Sequence, residues 1–289
     1  MAPVAVICGI VFVLLWSSSL AIGRFGLGFL WSQSWDPVRE EFGAASSIYG
    51  TIVSSALAML IAAPLSLFAA MMLVEVVPHW LSRIVGGAIE LLAAIPSVIF
   101  GMWGLLVLVP IMQQYIQPLL IRWLGFLPLF VGPPVGIGML TASVVLSLMI
   151  LPYMTATLRE AFVMVPGVMK ESAYGLGATS WEVIRAVTLP YAFQGVVGAF
   201  LLGLGRALGE TMAVTFVIGN DHRIRASLLA PSNSLTSTLA NEFVEAFEPL
   251  YLSSLVYLAL VLFAITLAVQ VASYFWLRHM RIKMGGHWR

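Results

Sequence analysis

Residues 170–190 read KESAYGLGATSWEVIRAVTLP, a polar island between two long apolar runs. Its chemistry predicts two short helices around a glycine break, an ordered segment rather than a linker. Pro166 opens the first helix, because a proline at the first helical position gives up only a donor that would be unpaired anyway. Gly175 and Gly177 end it, since glycine takes the left-handed C-terminal turn without steric cost. Thr179 or Ser180 caps the second helix, with Glu182 in its positive first turn. Trp181, Ile184 and Val187 then recur every three residues and make one apolar stripe beside Glu182 and Arg185. Such a stripe at a membrane surface needs an apolar partner. A groove on another protein and the lipid interface both meet that need.

The flanking runs set the class. Of 289 residues, 61% are hydrophobic and 9% are charged, against roughly 25% charge in a soluble domain. A net charge of +1 argues against nucleic-acid binding, which needs a basic surface to neutralise phosphates. The single Cys8 lies in an apolar run and the four histidines are scattered, so neither a disulfide framework nor a metal-ligand spacing is present.

A bilayer core of about 30 Å takes about 20 apolar residues per helix. Segments 3–23, 47–77, 84–115, 134–162, 191–219 and 249–277 qualify. Backbone groups left unpaired in lipid are too costly for any open structure, so these segments are helices. The expected fold is all-α: one polytopic membrane domain over 1–289 with six transmembrane helices. Small residues at 17–21 imitate a signal-peptide cleavage site, but the apolar run is long and no basic region precedes it, so the first helix is expected to be retained.

Lys and Arg counts orient the chain. With the N-terminus inside, Arg83, Arg159, Lys170, Arg185, Arg278, Arg281, Lys283 and Arg289 face the cytoplasm, and Arg24, Arg39, Arg122, Arg223 and Arg225 face outward. Residues 164–190 are then cytoplasmic, and both termini are inside. Outside, 25–42 holds Trp31 and Trp35, suited to the headgroup region, and 220–248 holds the turn formers Pro231, Ser232 and Asn233. Both segments read as structured and able to meet an extracytoplasmic partner. Pro96 is expected to kink the third helix. Glu75 in the second segment and Glu90 in the third lie close to the inner interface, where a carboxylate can snorkel to water.

The fifth segment carries the charge chemistry in GLGRALGETMAVTF, residues 203–216. Arg206 and Glu210 each cost about 2.5–3.5 kcal/mol near the bilayer centre, so something offsets them. Four residues apart in a continuous helix they share a face and can pair, which is a purely structural reading. Alternatively Arg206 lines an aqueous path and meets a passing anion. A guanidinium presents a planar fork of donors that fits phosphate or sulfate oxygens. Glu210 would then compete for the guanidinium and prevent trapping, and the hydroxyls of Thr211 and Thr215 add donors. Gly205 and Gly209, flanked by Gly203, form a G-x-x-x-G that suits close helix approach in a bundle or a heterodimer.

Glu171, Ser172, Ala173, Gly177, Val187, Leu189 and Pro190 resemble the EAA loop of bacterial ABC-importer permeases, with Ser172 and Val187 as mild departures. The fuller match is through 89–104, Tyr153, 171–177, 181–184, 203–216, 219–220 and 240–243. There the chain is similar to the permease subunits of bacterial phosphate importers. It departs from them in starting almost directly at its first apolar segment, without their polar, basic tail. The resemblance implies the type I ABC-importer permease fold. It implies that Glu171, Ser172, Ala173, Gly177, Leu189 and Pro190 couple to a separate ATPase dimer, which binds ATP and magnesium. It also implies a heterodimer with a second related permease, an extracytoplasmic phosphate-binding protein and a pathway through Arg206 and Glu210.

The expected function is therefore translocation of inorganic phosphate across the cytoplasmic membrane by alternating access. Another oxyanion such as sulfate or molybdate is the alternative within the class, and an ATP-independent anion channel is the alternative outside it. The chain lacks a G-x-x-x-x-G-K-[ST] loop, so the ATPase is a different subunit. No nucleophile, base and orienter set suggests an enzyme.

Overall fold

The computed structural model describes residues 2–285, so Arg289, one of the expected inner cations, lies outside the described residues. The described chain is helical, with two isolated β-bridges, Asp36 with Glu41 and Gly219 with Ser232. The helices are α1 (Ala2–Ser17), α2 (Ser19–Leu30), α3 (Ala45–Val76), α4 (His79–Ala93), α5 (Ser97–Leu124) and α6 (Met139–Val163). They continue with α7 (Gly167–Gly175), α8 (Ser180–Leu208), α9 (Met212–Ile218), α10 (Leu235–Glu242) and α11 (Pro249–Gly285). Among these, α3, α5, α6, α8 and α11 are long and apolar enough to cross a membrane, and α1 with α2 makes a sixth span if that pair, bent by 54°, counts as one. At the bend Ser18 Oγ donates to the Leu14 carbonyl at 2.6 Å, the back-bonding that bends helices.

The prolines explain the irregular turns. Four wide, π-type turns occur at Met72–Val76, Gly104–Leu108, Met112–Ile116 and Ile184–Thr188. Each ends two residues before a proline: Pro78, Pro110, Pro118 and Pro190. In every case the residue just ahead of the proline donates its N–H five residues back: Val77 to Met72, Val109 to Gly104, Gln117 to Met112 and Leu189 to Ile184. Within a continuing helix a proline ring collides with the carbonyl four residues before it, and at Pro110, Pro118 and Pro190 the wider turn moves that carbonyl aside. Ahead of Pro78 the wide turn instead ends α3, with Val77 extended. Pro64 and Pro152 lie inside ordinary α-helix.

Pro96 acts differently from its expected role. Helix α4 ends at Ala93 and α5 begins at Ser97, so Pro96 separates two helices instead of kinking one. The residue before a proline is pushed out of the helical region, and Ile95 closes α4 with a tight bond to the Leu92 carbonyl. The third span is consequently α5, displaced toward the C-terminus from the expected 84–115. The fifth segment also divides, since α8 stops at Leu208 and α9 resumes at Met212.

Residues sort into two compact units. One comprises the chain up to Leu57, Ser97–Leu146 and Leu208–Ala268; the other comprises Ala58–Pro96, Ser147–Ala207 and the chain from Val269. The first unit has a core of Phe29, Phe42, Leu235, Leu250, Tyr251, Leu255, Tyr257 and Leu258. Phe29 stacks on Tyr257 with ring centroids 4.4 Å apart, and Phe42 stacks on Tyr251 at 5.3 Å. Segments 25–42 and 220–248, expected outside, both contribute to this core. Trp31 is exposed, whereas Trp35 is half-buried: it stacks on His222 at 5.4 Å and donates its Nε1–H to Glu242.

Glu242 also accepts from Tyr251 Oη at 2.9 Å and lies 3.1 Å from His222 Nε2. Asn233 Nδ2 lies 2.8 Å from His222 Nδ1. A carboxylate only accepts, so Nε2–H of His222 is the donor to Glu242. Truncation as Glu242→Ala strands three buried or half-buried donors, each costing about 1–3 kcal/mol when left unpaired. The variant is expected to lose at least about 2 kcal/mol of stability, read as a fall in unfolding midpoint of the purified protein in detergent.

The second unit is centred on Ala70, Met71, Leu158, Phe162, Val165, Ile184, Ala192, Val196 and Ala199. Ion pairs of this unit, among the described residues, include Lys170 with Glu75 at 2.6 Å and Arg159 with Glu90 at 3.1 Å. Glu75 therefore does not snorkel to water: its side chain is only 4% exposed.

Candidate functional site

Three sets of residues carry the candidate chemistry. Arg206 lies in the last full turn of α8, within the second unit. Its guanidinium carbon sits 5.1 Å from the centre of the Tyr153 ring of α6, inside the range of a cation–π contact. Its Nε is buried without a hydrogen-bond partner. Packing holds this turn closely. A Cβ at Gly203 would lie 2.6 Å from Met154 Sδ, and one at Gly205 would lie 2.6 Å from Gln270 Nε2. The glycines at 203 and 205 thus admit α6 and α11 of this same chain, a use for small residues that the sequence left open between a bundle and a heterodimer.

Glu210, Thr211 and Thr215 belong to the first unit. Because α8 ends at Leu208, the four-residue helical spacing expected to put Arg206 and Glu210 on one face does not hold across the break. Glu210 instead serves the next helix: its Oε1 accepts from the Ala213 backbone N–H at 3.2 Å, one of the otherwise unpaired donors at the start of α9. Its own carbonyl accepts from Thr236 Oγ1 at 2.7 Å. Thr215 Oγ1 donates to the Thr211 carbonyl at 2.7 Å and Thr211 Oγ1 to the Gly209 carbonyl at 3.4 Å. Both hydroxyl hydrogens are thus directed to backbone, which leaves the oxygens as acceptors. Tyr153 and Thr236 were not singled out as site residues from sequence. A membrane aromatic is too common to stand out, and Thr236 lies 26 residues from the carbonyl it holds.

The third set is residues 164–190, wholly within the second unit. Pro166 stands one residue ahead of α7, and the helix ends at Gly175. Gly177 has φ +87°, the left-handed geometry expected after a helix. Thr179 caps α8 through a reciprocal pair: its side chain accepts from the Glu182 N–H, and Glu182 accepts from the Thr179 N–H at 2.8 Å. The second helix is not short, since it continues without a break into the span. The apolar stripe divides as well. Ile184 is buried in the chain's own core, whereas Trp181 is 61% exposed. With Val168, Tyr174 and Leu176 also exposed, this end presents unpartnered apolar side chains beside the exposed Glu171, Ser172 and Gly177.

Residues 62–281 match the family described as the binding-protein-dependent transport system inner membrane component. The phosphate transport system permease protein PstC of Mesorhizobium japonicum is 52% identical over 93% of this chain and 84% of its own length. The protein of the same name from Pasteurella multocida is 54% identical over 86% of this chain and 79% of its own length. Among solved structures, a bacterial ABC transporter involved in the import of alginate aligns with a TM-score of 0.57 at 17% identity, covering 87% of this chain and 88% of that one. These likenesses agree with the helical spans found here, and the chain belongs to the family of binding-protein-dependent transport system inner membrane components, multi-pass permeases with the ABC-importer fold.

Proposed function

We propose that this chain is a transmembrane subunit of an ATP-driven importer that moves inorganic phosphate across the cytoplasmic membrane by alternating access. It is a permease and not itself an enzyme. Phosphate is the substrate named for its relatives at 52% and 54% identity. The observation that carries the chemistry is Arg206: a guanidinium in a membrane span, stationed over Tyr153 with a buried Nε that has no partner. A tetrahedral oxyanion entering beside it supplies the missing acceptor. Arg206, Glu210, Thr211 and Thr215 line the route in this reading. The break at 209–211 supports it, since irregular backbone inside a membrane is tolerated where it lines a cavity.

Glu171, Ser172, Ala173, Gly177, Leu189 and Pro190 frame the coupling helix, which docks on an ATPase dimer holding ATP and magnesium. A second, related permease completes the pathway as a heterodimer, and a phosphate-binding protein delivers substrate from outside. The Lys and Arg distribution supports cytoplasmic termini. Closure of the ATPase pair moves residues 164–190, and the spans reopen from outward to inward.

Substrate identity is tested by labelled-phosphate uptake into vesicles holding the complete importer, with sulfate or molybdate in excess. Uptake is expected to resist both. Competition by either at equal concentration would reassign the pathway to a broader oxyanion permease.

A further inference from the structure

We infer that Glu75, Lys170 and Thr188 form the joint that carries movement of α7 into the spanning helices, and so set how much phosphate moves per ATP. This rests on the reading of residues 164–190 as the ATPase-docking segment. The three residues come from three elements of one unit. Lys170 is on α7, Glu75 is in the wide last turn of α3, and Thr188 is in the wide turn of α8. Their donors converge on one atom: Lys170 Nζ lies 2.6 Å and Thr188 Oγ1 3.0 Å from Glu75 Oε1.

Burial separates this contact from an ordinary surface pair. The side chains of Glu75 and Lys170 are 4% and 15% exposed, whereas Glu90, paired with Arg159, is 61% exposed. Exposed pairs hold little, but separating a buried pair leaves an uncompensated charge. Helix α7 is nine residues long with its apolar side chains Val168 and Tyr174 exposed, so packing alone fastens it weakly. Its firm attachment is Lys170, the residue immediately before Glu171.

The backbone prepares the other two partners. Pro190 widens the turn that holds Thr188, and Glu75 lies in a turn of the same width that ends α3; wide turns of this kind recur at functional sites. A pull on α7 is thus passed to the ends of two spans through one carboxylate oxygen. Glu75, Lys170 and Thr188 are positioning residues, acting on transport through the helices they join.

The test compares ATP hydrolysis with labelled-phosphate uptake in the same vesicles of complete importer, together with the amount of ATPase retained on the purified complex. Glu75→Gln removes the charge while keeping the volume. Glu75→Gln with Lys170→Met leaves no stranded charge and guards against misfolding, and Thr188→Val removes one bond with the ion pair intact. Retained ATPase, continued hydrolysis and about a tenfold fall in phosphate moved per ATP, within the usual span of coupling between sites, are expected for both Glu75 variants. Thr188→Val is expected to show a smaller fall in the same direction. An unchanged ratio in the double variant, or uptake and hydrolysis falling in proportion, overturns the joint as a mere anchor. Full ATPase retention by a chain whose residues 167–179 are replaced with glycine and serine overturns the docking reading beneath it.

Discussion

Arg206→Gln is expected to cut phosphate uptake about thirtyfold, while the complex assembles and still hydrolyses ATP. The size follows from the loss of one charge-assisted hydrogen bond, worth about 2 kcal/mol, at a tenfold change per 1.4 kcal/mol. Assembly should survive because Arg206 is only partly buried and rests on Tyr153; a glutamine amide can occupy the same space over the ring. Arg206→Lys is the informative companion. It keeps the charge but loses the planar fork and its stacking, so uptake intermediate between parent and Arg206→Gln is expected. Normal uptake in Arg206→Gln would make the arginine a packing element and move the anion route elsewhere.

Gly177→Val is expected to disconnect the ATPase. At φ +87° a residue with a side chain meets a conformational penalty of about 1–2 kcal/mol, and a β-branched one is worse placed still. Nothing lies within 4 Å of a Cβ built there, so the strain is purely of the backbone. Relief comes from rotating α7 away from the start of α8. ATPase affinity for the complex should drop about tenfold, corresponding to that penalty, and uptake should drop with it. Gly177→Asn should be nearly silent, because asparagine tolerates the left-handed region. So should Gly175→Ala, which lies in helix with open space around it. Co-purification of the ATPase subunit with each variant reads the effect, and equal retention by Gly177→Val would show that α7 does not set the docking geometry.

Much of this architecture is legible from residues alone, because in a membrane the apolar runs are forced to be helices. The capping exchange of Thr179 with Glu182 and the left-handed Gly177 follow from side-chain chemistry a few residues apart. What escapes is tertiary. Whether Pro96 kinks a helix or divides two depends on whether the ladder can widen and continue past it; at Pro110, Pro118 and Pro190 it does, whereas α3 ends ahead of Pro78 and α4 ends ahead of Pro96.

The charged segment shows the same limit. Hydropathy runs unbroken through GLGRALGETMAV, so a continuous helix is the natural reading, and with it an Arg206 and Glu210 on one face. The helix stops because other groups satisfy its backbone: Thr236 takes the Glu210 carbonyl, and the Glu210 carboxylate takes the Ala213 N–H. The Thr236 contact, 26 residues away, leaves no local mark, and the carboxylate contact three residues on is overridden in the sequence by the apolar run around it. The stripe at 181–187 divides for a similar reason. Its period is correct, but the neighbour that buries Ile184 is the chain's own α3 and α6, which leaves Trp181 exposed and Val187 half-exposed for another surface.

Accumulation of labelled phosphate in sealed vesicles of the complete importer, against a phosphate gradient and with or without ATP and magnesium, separates a driven permease from a channel. Uphill accumulation only with hydrolysable ATP is the predicted result. Phosphate that equilibrates down its gradient at the same rate without ATP would contradict it.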